Sequence, residues 1–278
     1  MKAAILAYHS HNISGPDYAR NDHVAFAADL ETIHRSGARV APLAEIAAAV
    51  RERRIDGTGE TVVGLSCDDG PMFDALDFVH RSLGPQRSFV NAMRDFRARH
   101  GEGAQPGLHL TSFVIASPEA RATMQAAPDC GFPDVPGWLE DHWWREASES
   151  GLLEIGNHSW DHAHPLVARA VVASPVRGDF TVVSTYPDAD AEIRRAGVYI
   201  EQRTGRPCRL FAYPFGHVNA YLSTDYLPHR RAEHGLEAAF GGEGGRITAE
   251  TSPWDIPRVV CGHHWKTPEA LERILAAA

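Results

Sequence analysis

Only four cysteines occur in 278 residues. Cys67, Cys130, Cys208 and Cys261 lie far apart and form no C-x-x-C pair, which argues against a thiolate zinc site. Two disulfides are arithmetically open, but a chain of this size, with a core of its own, reads as holding free buried thiols. Lys and Arg form no run, and the formal charge is −9 with a pI of about 5.9. That leaves no footprint for nucleic acid or an anionic membrane. No apolar stretch approaches the ~20 residues of a membrane span. The N-terminal run Ala3–Ala7 is too short for the core of a signal peptide, and no small-residue cleavage site follows it. A soluble, cytoplasmic protein is the expectation. Internal repeats and low-complexity tracts are also missing.

Apolar residues, by contrast, are plentiful. At 44% hydrophobic the chain can bury a large core. Its length fits one α/β barrel, so a single catalytic domain over residues 1–278 is expected. Short apolar runs alternate with helical patterns. Ala3–Ala7, Thr61–Cys67, Leu108–Ala116, Leu152–Ile155, Arg209–Tyr213, Ala238–Phe240 and Ile256–Cys261 read as strands. Helices are expected over Val24–Ser36, Pro42–Val50, from Pro71 with Phe73, Leu76 and Val79 inward, over Phe89–His100, after Ser117-Pro118, over Trp138–Ser150, Asp188–Thr204 and Pro228–His234, and after Thr267-Pro268. Residues 127–137 read as a Pro/Gly-rich loop. Such alternation predicts a parallel sheet with helical crossovers. Asp68-Asp69, His158 and Pro214-Phe215-Gly216 all fall just past strand ends, where a (β/α) barrel keeps its active site.

Two imidazoles four residues apart, His158 and His162, share one face of a helical turn and can reach one metal ion. No other His pair in the chain has that spacing. Asp68 and Asp69 are adjacent carboxylates at the end of an apolar strand, costly to bury without a cation. A turn at Gly70 can aim both into one cavity. One can ligate a metal while the other takes a proton from water. The plainer reading of Asp68-Asp69-Gly70-Pro71 is a turn and helix cap. Two histidines and a carboxylate fill three positions of a zinc-like site and leave the fourth open for water. Zinc is the default; cobalt, nickel or manganese suit the same N/O ligands.

Leu65-Ser66-Cys67-Asp68-Asp69-Gly70 resembles the T-F-D-D-G motif of the polysaccharide deacetylases, the nodulation-deacetylase homology group of carbohydrate esterase family four. Glu154-Ile155-Gly156-Asn157-His158-Ser159-Trp160-Asp161-His162 resembles the H-[ST]-x-x-H motif of that family. Leu210-Phe211-Ala212-Tyr213-Pro214-Phe215-Gly216 is similar to its F-A-Y-P-Y-G variant. The resemblance runs from about Ile5 to Val260. It implies a distorted (β/α) barrel of the polysaccharide deacetylase type, with Asp68 as general base and Asp69, His158 and His162 holding a divalent metal. It also implies that the backbone N–H of Tyr213 faces the oxyanion.

The chain departs from the pattern in places. Cys67 stands where the family usually has Phe. Ala212 holds the position of the Arg that orients the base in the commoner R-x-P-Y form, and Arg258, in Ile256-Pro257-Arg258-Val259, is the candidate to replace that charge. No clear L-x-H motif supplies a general acid; His264 is favoured, with His263 and His217 as alternatives. His9 reads as a core or supporting residue, and His164 as solvated or packed beside Pro165. Among the tryptophans, Trp160 is the one expected to border the site. The implied activity is removal of an N-acetyl group from an amino sugar or glycan. The competing readings are hydrolysis of a small cytosolic amide, cyclic ureide or lipid-linked sugar, and a silent protein that only binds glycan or metal.

Overall fold

A computed structural model describes residues 1–127, 132 and 134–278. Its strands are β1 (Lys2–Tyr8), β2 (Arg39–Val40), β3 (Thr61–Cys67), β4 (Phe78–His80), β5 (Gly84–Gln86), β6 (Leu110–Val114), β7 (Leu153–Asn157), β8 (Leu210–Ala212), β9 (Ala238–Phe240) and β10 (Val259–Val260). Eight of these form one sheet in the order β10-β1-β3-β6-β7-β8-β9, with β2 beside β3. Every pairing in it is parallel. The segment carrying β10 bridges Phe240 at Ile256 and pairs with β1 at Val259 and Val260, so it spans both edges of the curled sheet. This is the expected distorted (β/α) barrel.

Alternation along the strands sets the core. Ala4, Leu6 and Tyr8 of β1, with Val63 and Leu65 of β3, pack outward with Phe26, Leu30, Phe89 and Met93. Ala3, Ile5 and Val62 point the other way and join Phe113, Leu210, Ala212 and Phe240. This is the period-two pattern of a sheet covered on both faces. The helix Asp22–Ser36 begins at Asn21, whose side chain accepts the His23 N–H, and stops at Gly37 in the left-handed region. Cys67, Cys208 and Cys261 are buried free thiols, as expected; Cys130 lies outside the described residues. Part of the expected 127–137 loop does so too. Among the described residues no helix is long and apolar enough to cross a membrane.

Two expected helices are different. After Pro71 there is only a short 3-10 turn, Met72–Asp74, and then the β4–β5 hairpin. Tertiary partners pull this segment apart. Phe73 and Phe78 stack with centroids 3.7 Å apart inside an aromatic cluster with Phe132 and Trp138, while the Asp74 carboxylate accepts the hydroxyls of Ser10 and Ser112. Leu76 and Val79 are left exposed. The second is Trp138–Ser150, where the helix covers only Trp144–Glu149. The Trp138 carbonyl accepts the Met72 N–H and that of Leu139 accepts from Arg121, so neither is free to continue a helix.

At the C-terminal end of the sheet His9, Asp68, Ile115, His158, Phe215, Gly242 and Cys261 follow β1, β3, β6, β7, β8, β9 and β10. All of them line one cavity of about 1030 Å³.

Candidate metal centre

The first half of the site is made by a turn. Asp69 has φ 72° and Gly70 φ 71°. Two successive left-handed residues swing the chain so that Asp68 and Asp69 line the same cavity instead of opposite sides of a strand. Only glycine suits position 70, because a Cβ there would sit 2.5 Å from a methyl of Val114 and 2.9 Å from its Cα.

The second half is the segment after β7. His158 and His162 come together, but not on a helix: Ser159 has φ 71°, His162 φ 66° and Ala163 φ 43°, and the segment is a loop. Among the described residues, six non-glycine residues have positive φ, and five of them (Asp69, Ser159, His162, Ala163 and Phe215) lie in these site segments. Each such conformation costs about 1–3 kcal/mol and persists only where its surroundings fix it.

The Nε2 atoms of His158 and His162 are 3.2 Å apart. Asp69 Oδ1 lies 3.7 Å from the first and 3.5 Å from the second. An ion with bonds of 2.0–2.1 Å in tetrahedral geometry spaces its ligand atoms by roughly 3.3 Å. The three atoms therefore already stand near the edges of such a polyhedron, and a divalent cation fits them. His158 Nδ1 is 2.9 Å from the Ala212 carbonyl, which can only accept. Its proton is thereby fixed on Nδ1, and the Nε2 lone pair faces the centre. Burial, then the neighbouring His158, pushes the His162 imidazole down to about 3, so the ring is neutral, as a metal ligand must be. Burial works to raise the Asp69 carboxyl, but His11, His162 and His158 outweigh it and hold it below the usual carboxylate range.

Asp68 is held differently. Its oxygens accept from Arg258 Nη1 at 2.7 Å and Nη2 at 2.8 Å, a bidentate pair. The guanidinium is fully buried and also donates to the Gly241 carbonyl and the Ser66 hydroxyl. Arg258 thus stands on the carboxylate, as its place in Ile256-Pro257-Arg258-Val259 suggested. Burial would raise the Asp68 carboxyl; Arg258, then His158, more than offset this and keep it ionised. Replacing Arg258 with Met leaves that charge buried and unpaired. The expected cost is about 3–5 kcal/mol, measured as a lowered midpoint in urea unfolding.

Two expected site residues are placed otherwise. The Tyr213 N–H donates to the Phe240 carbonyl at 3.0 Å, so the β8–β9 ladder already uses it. Pro214 has no N–H, and that of Phe215 has no backbone partner among the described residues. His264 is absent from the cavity lining. Its Nδ1 accepts the Val260 N–H at 2.8 Å and its ring packs against Gly244, whereas His263 does line the cavity. Trp160 is likewise not a lining residue; Arg195 lies over its ring at 3.6 Å. The structure instead adds His9 and His11. His11 Nδ1 lies 3.7 Å from Asp69 Oδ2, and His9 Nδ1 is buried without a partner among the described residues. The sequence signal for His9 was its place just past the first strand; in the structure Tyr8 pairs with Cys67, so His9 stands level with Asp68.

Behind the histidine loop lies Glu192, fully buried, whose carboxyl is pushed well above its ordinary range by burial and then by Asp161.

Residues 103–230 match the family model described as polysaccharide deacetylase. The match spans the histidine loop and the Tyr213–Gly216 turn but not Asp68 and Asp69. No curated protein matches the chain. Among solved structures, a Streptococcus pyogenes deacetylase in complex with acetate aligns with TM-score 0.62 and 14% identity, over 99% of this chain and 98% of that one. IcaB from Ammonifex degensii aligns with TM-score 0.60 and 17% identity, over 99% and 96%. A polysaccharide deacetylase from Bacillus cereus aligns with TM-score 0.59 and 18% identity, over 99% and 69%. At such identities the likeness is one of fold. The segment holding the histidine motif is thus similar to the polysaccharide deacetylase family, and the chain as a whole shares the fold of these solved deacetylases.

Proposed function

We propose that the protein is a metal-dependent hydrolase that removes an N-acetyl group from an amino sugar or glycan. One observation carries the reading. Asp68 lies beside the Asp69–His158–His162 cluster, with Oδ2 4.0 Å from His158 Nε2, yet is drawn to Arg258 instead of into the cluster. This supports a division of roles in which one carboxylate ligates and the other accepts a proton. A divalent ion held by Asp69, His158 and His162, with zinc the default, supplies a lowered water pKa and a polarised acyl carbonyl.

The chain's own groups do the rest. Asp68 takes the proton of the attacking water, and Arg258 fixes both of its oxygens so that it stays ionised and aligned. The N–H of Phe215, which has no backbone partner among the described residues, is the proposed donor for the oxyanion in place of that of Tyr213. The leaving amine needs a proton. His9, His11 and His263 line the cavity and His264 does not, so the acid is assigned to one of these three or to Asp68 returning its proton.

A second reading has one observation in its favour. Ile115, Met124, Trp138 and Leu139 form an apolar wall in the same cavity, which suits a small amide or a lipid-linked sugar. Acetate release from N-acetylglucosamine oligomers and from a panel of small N-acetyl amides tests both. Release should stop with a chelator and return with Zn2+. A metal-loaded protein that releases acetate from neither class overturns the proposal.

A further inference from the structure

The loop that carries both imidazoles lies outside any strand or helix. Its carbonyls at Ser159 and Trp160 accept the Ala116 and Ser117 N–H groups, and the His158 N–H donates to the Val114 carbonyl. From Ser159 to Ala163, however, its own N–H groups find no backbone partner among the described residues. Its five successive N–H groups all go to side-chain oxygens. Ser159 donates to Asn157 Oδ1 at 2.8 Å, Trp160 and Asp161 to Glu192 Oε2 at 3.0 and 3.2 Å, His162 to Ser159 Oγ at 2.9 Å, and Ala163 to Asp161 Oδ1 at 3.0 Å. Asn157, Ser159 and Asp161 belong to the loop or its approach. Glu192 alone comes from elsewhere in the chain.

Glu192 sits on a π-helical turn, Asp190–Arg194, within a run that is otherwise α-helical from Tyr186 to Thr204. A π turn inserts one residue, and at 3.6 residues per turn one residue swings the helix face by about 100°. The same turn makes a second contact: Asn157 Nδ2 donates to the Ile193 carbonyl at 2.8 Å. Two neighbouring residues of the bulge therefore grip the histidine loop at both ends of its first turn. Glu192 is a poor choice for stability alone. It is completely buried, and its Oε1 has no hydrogen-bond partner among the described residues. An unpaired buried carboxyl oxygen works against folding.

We propose that Glu192 is a positioning residue for the metal centre: its Oε2 pins the Trp160 and Asp161 amides and so holds His158 and His162 at ligand distance. This rests on the metal-centre reading above. Contacts one step out from metal ligands typically govern affinity by 10–100-fold.

The test is Zn2+ affinity by chelator competition on the full chain, with hydrogen exchange as a second readout. Glu192→Ala should weaken Zn2+ binding by on the order of 10–100-fold and speed exchange at Trp160 and Asp161, with β6 and β7 amides unchanged. Glu192→Gln keeps an acceptor oxygen and should recover most of that affinity. Zn2+ binding by a folded Glu192→Ala as tight as in the unaltered chain overturns the proposal. So do Trp160 and Asp161 amides that exchange in the unaltered chain as fast as those of exposed loops, a measurement that stands even if the Ala variant does not fold. An unaltered chain that binds no Zn2+ defeats the metal-centre reading itself, and this inference with it.

Discussion

Asp68→Asn is expected to lower kcat by on the order of 10²–10⁴-fold while the bound metal stays at the level of the unaltered protein. The asparagine keeps the shape of the side chain and one acceptor for Arg258, but it cannot take a proton. The three atoms proposed as ligands, on Asp69, His158 and His162, are untouched. The variant also leaves the buried guanidinium without its counter-charge, so it should be less stable. Turnover must therefore be compared at a temperature where circular dichroism shows both proteins fully folded. Metal content by elemental analysis separates the two roles given to the adjacent carboxylates. Turnover within tenfold of the unaltered enzyme, at equal metal content, removes Asp68 from the role of base.

How legible this was in the sequence differs from residue to residue. Thr61–Cys67 and Ala238–Phe240 read from their β-branched or apolar composition to the residue. Strands buried on both faces announce themselves, because nothing but burial acts on them. The Asp68-Asp69 turn and its place at a strand end were equally plain. What failed had a tertiary cause. The helix expected after Pro71 lost to the pull of Ser10 and Ser112 on Asp74, two hydroxyls distant in sequence. The His158–His162 spacing suggested that the two rings meet, and they do, but not on a helix. A four-residue step suggests a helical face, whereas Glu192 and Asn157 impose a left-handed loop that reaches the same end. Tyr213 looked like an oxyanion donor because ladder partners cannot be read from one strand, and Phe240 had already claimed its N–H. The π turn at Asp190–Arg194 left no trace in the helical periodicity of Asp188–Thr204.

His158→Ala should fail in the opposite way to Asp68→Asn, with the metal gone along with the turnover. His158 is one of the three proposed ligands, with its Nε2 3.2 Å from that of His162 and 3.7 Å from Asp69 Oδ1. Two donors remain, too few to hold a divalent ion against water. Affinity should fall by more than the roughly 10–100-fold that follows loss of an outer contact. The truncation also strands the Ala212 carbonyl, which His158 Nδ1 now satisfies, at a cost of about 1–3 kcal/mol. Lost metal alone could then be put down to a disturbed fold, so His164→Ala serves as the comparison. His164 lines the same cavity but is not part of the Asp69–His158–His162 cluster, and its removal should leave the metal in place. Metal lost from the first variant and kept by the second ties the ion to this geometry rather than to histidine content in the cavity. A folded His158→Ala protein that still carries one equivalent of metal would place the ion elsewhere. Asp68 would then have no activated water to deprotonate, and the hydrolytic mechanism would fail with it.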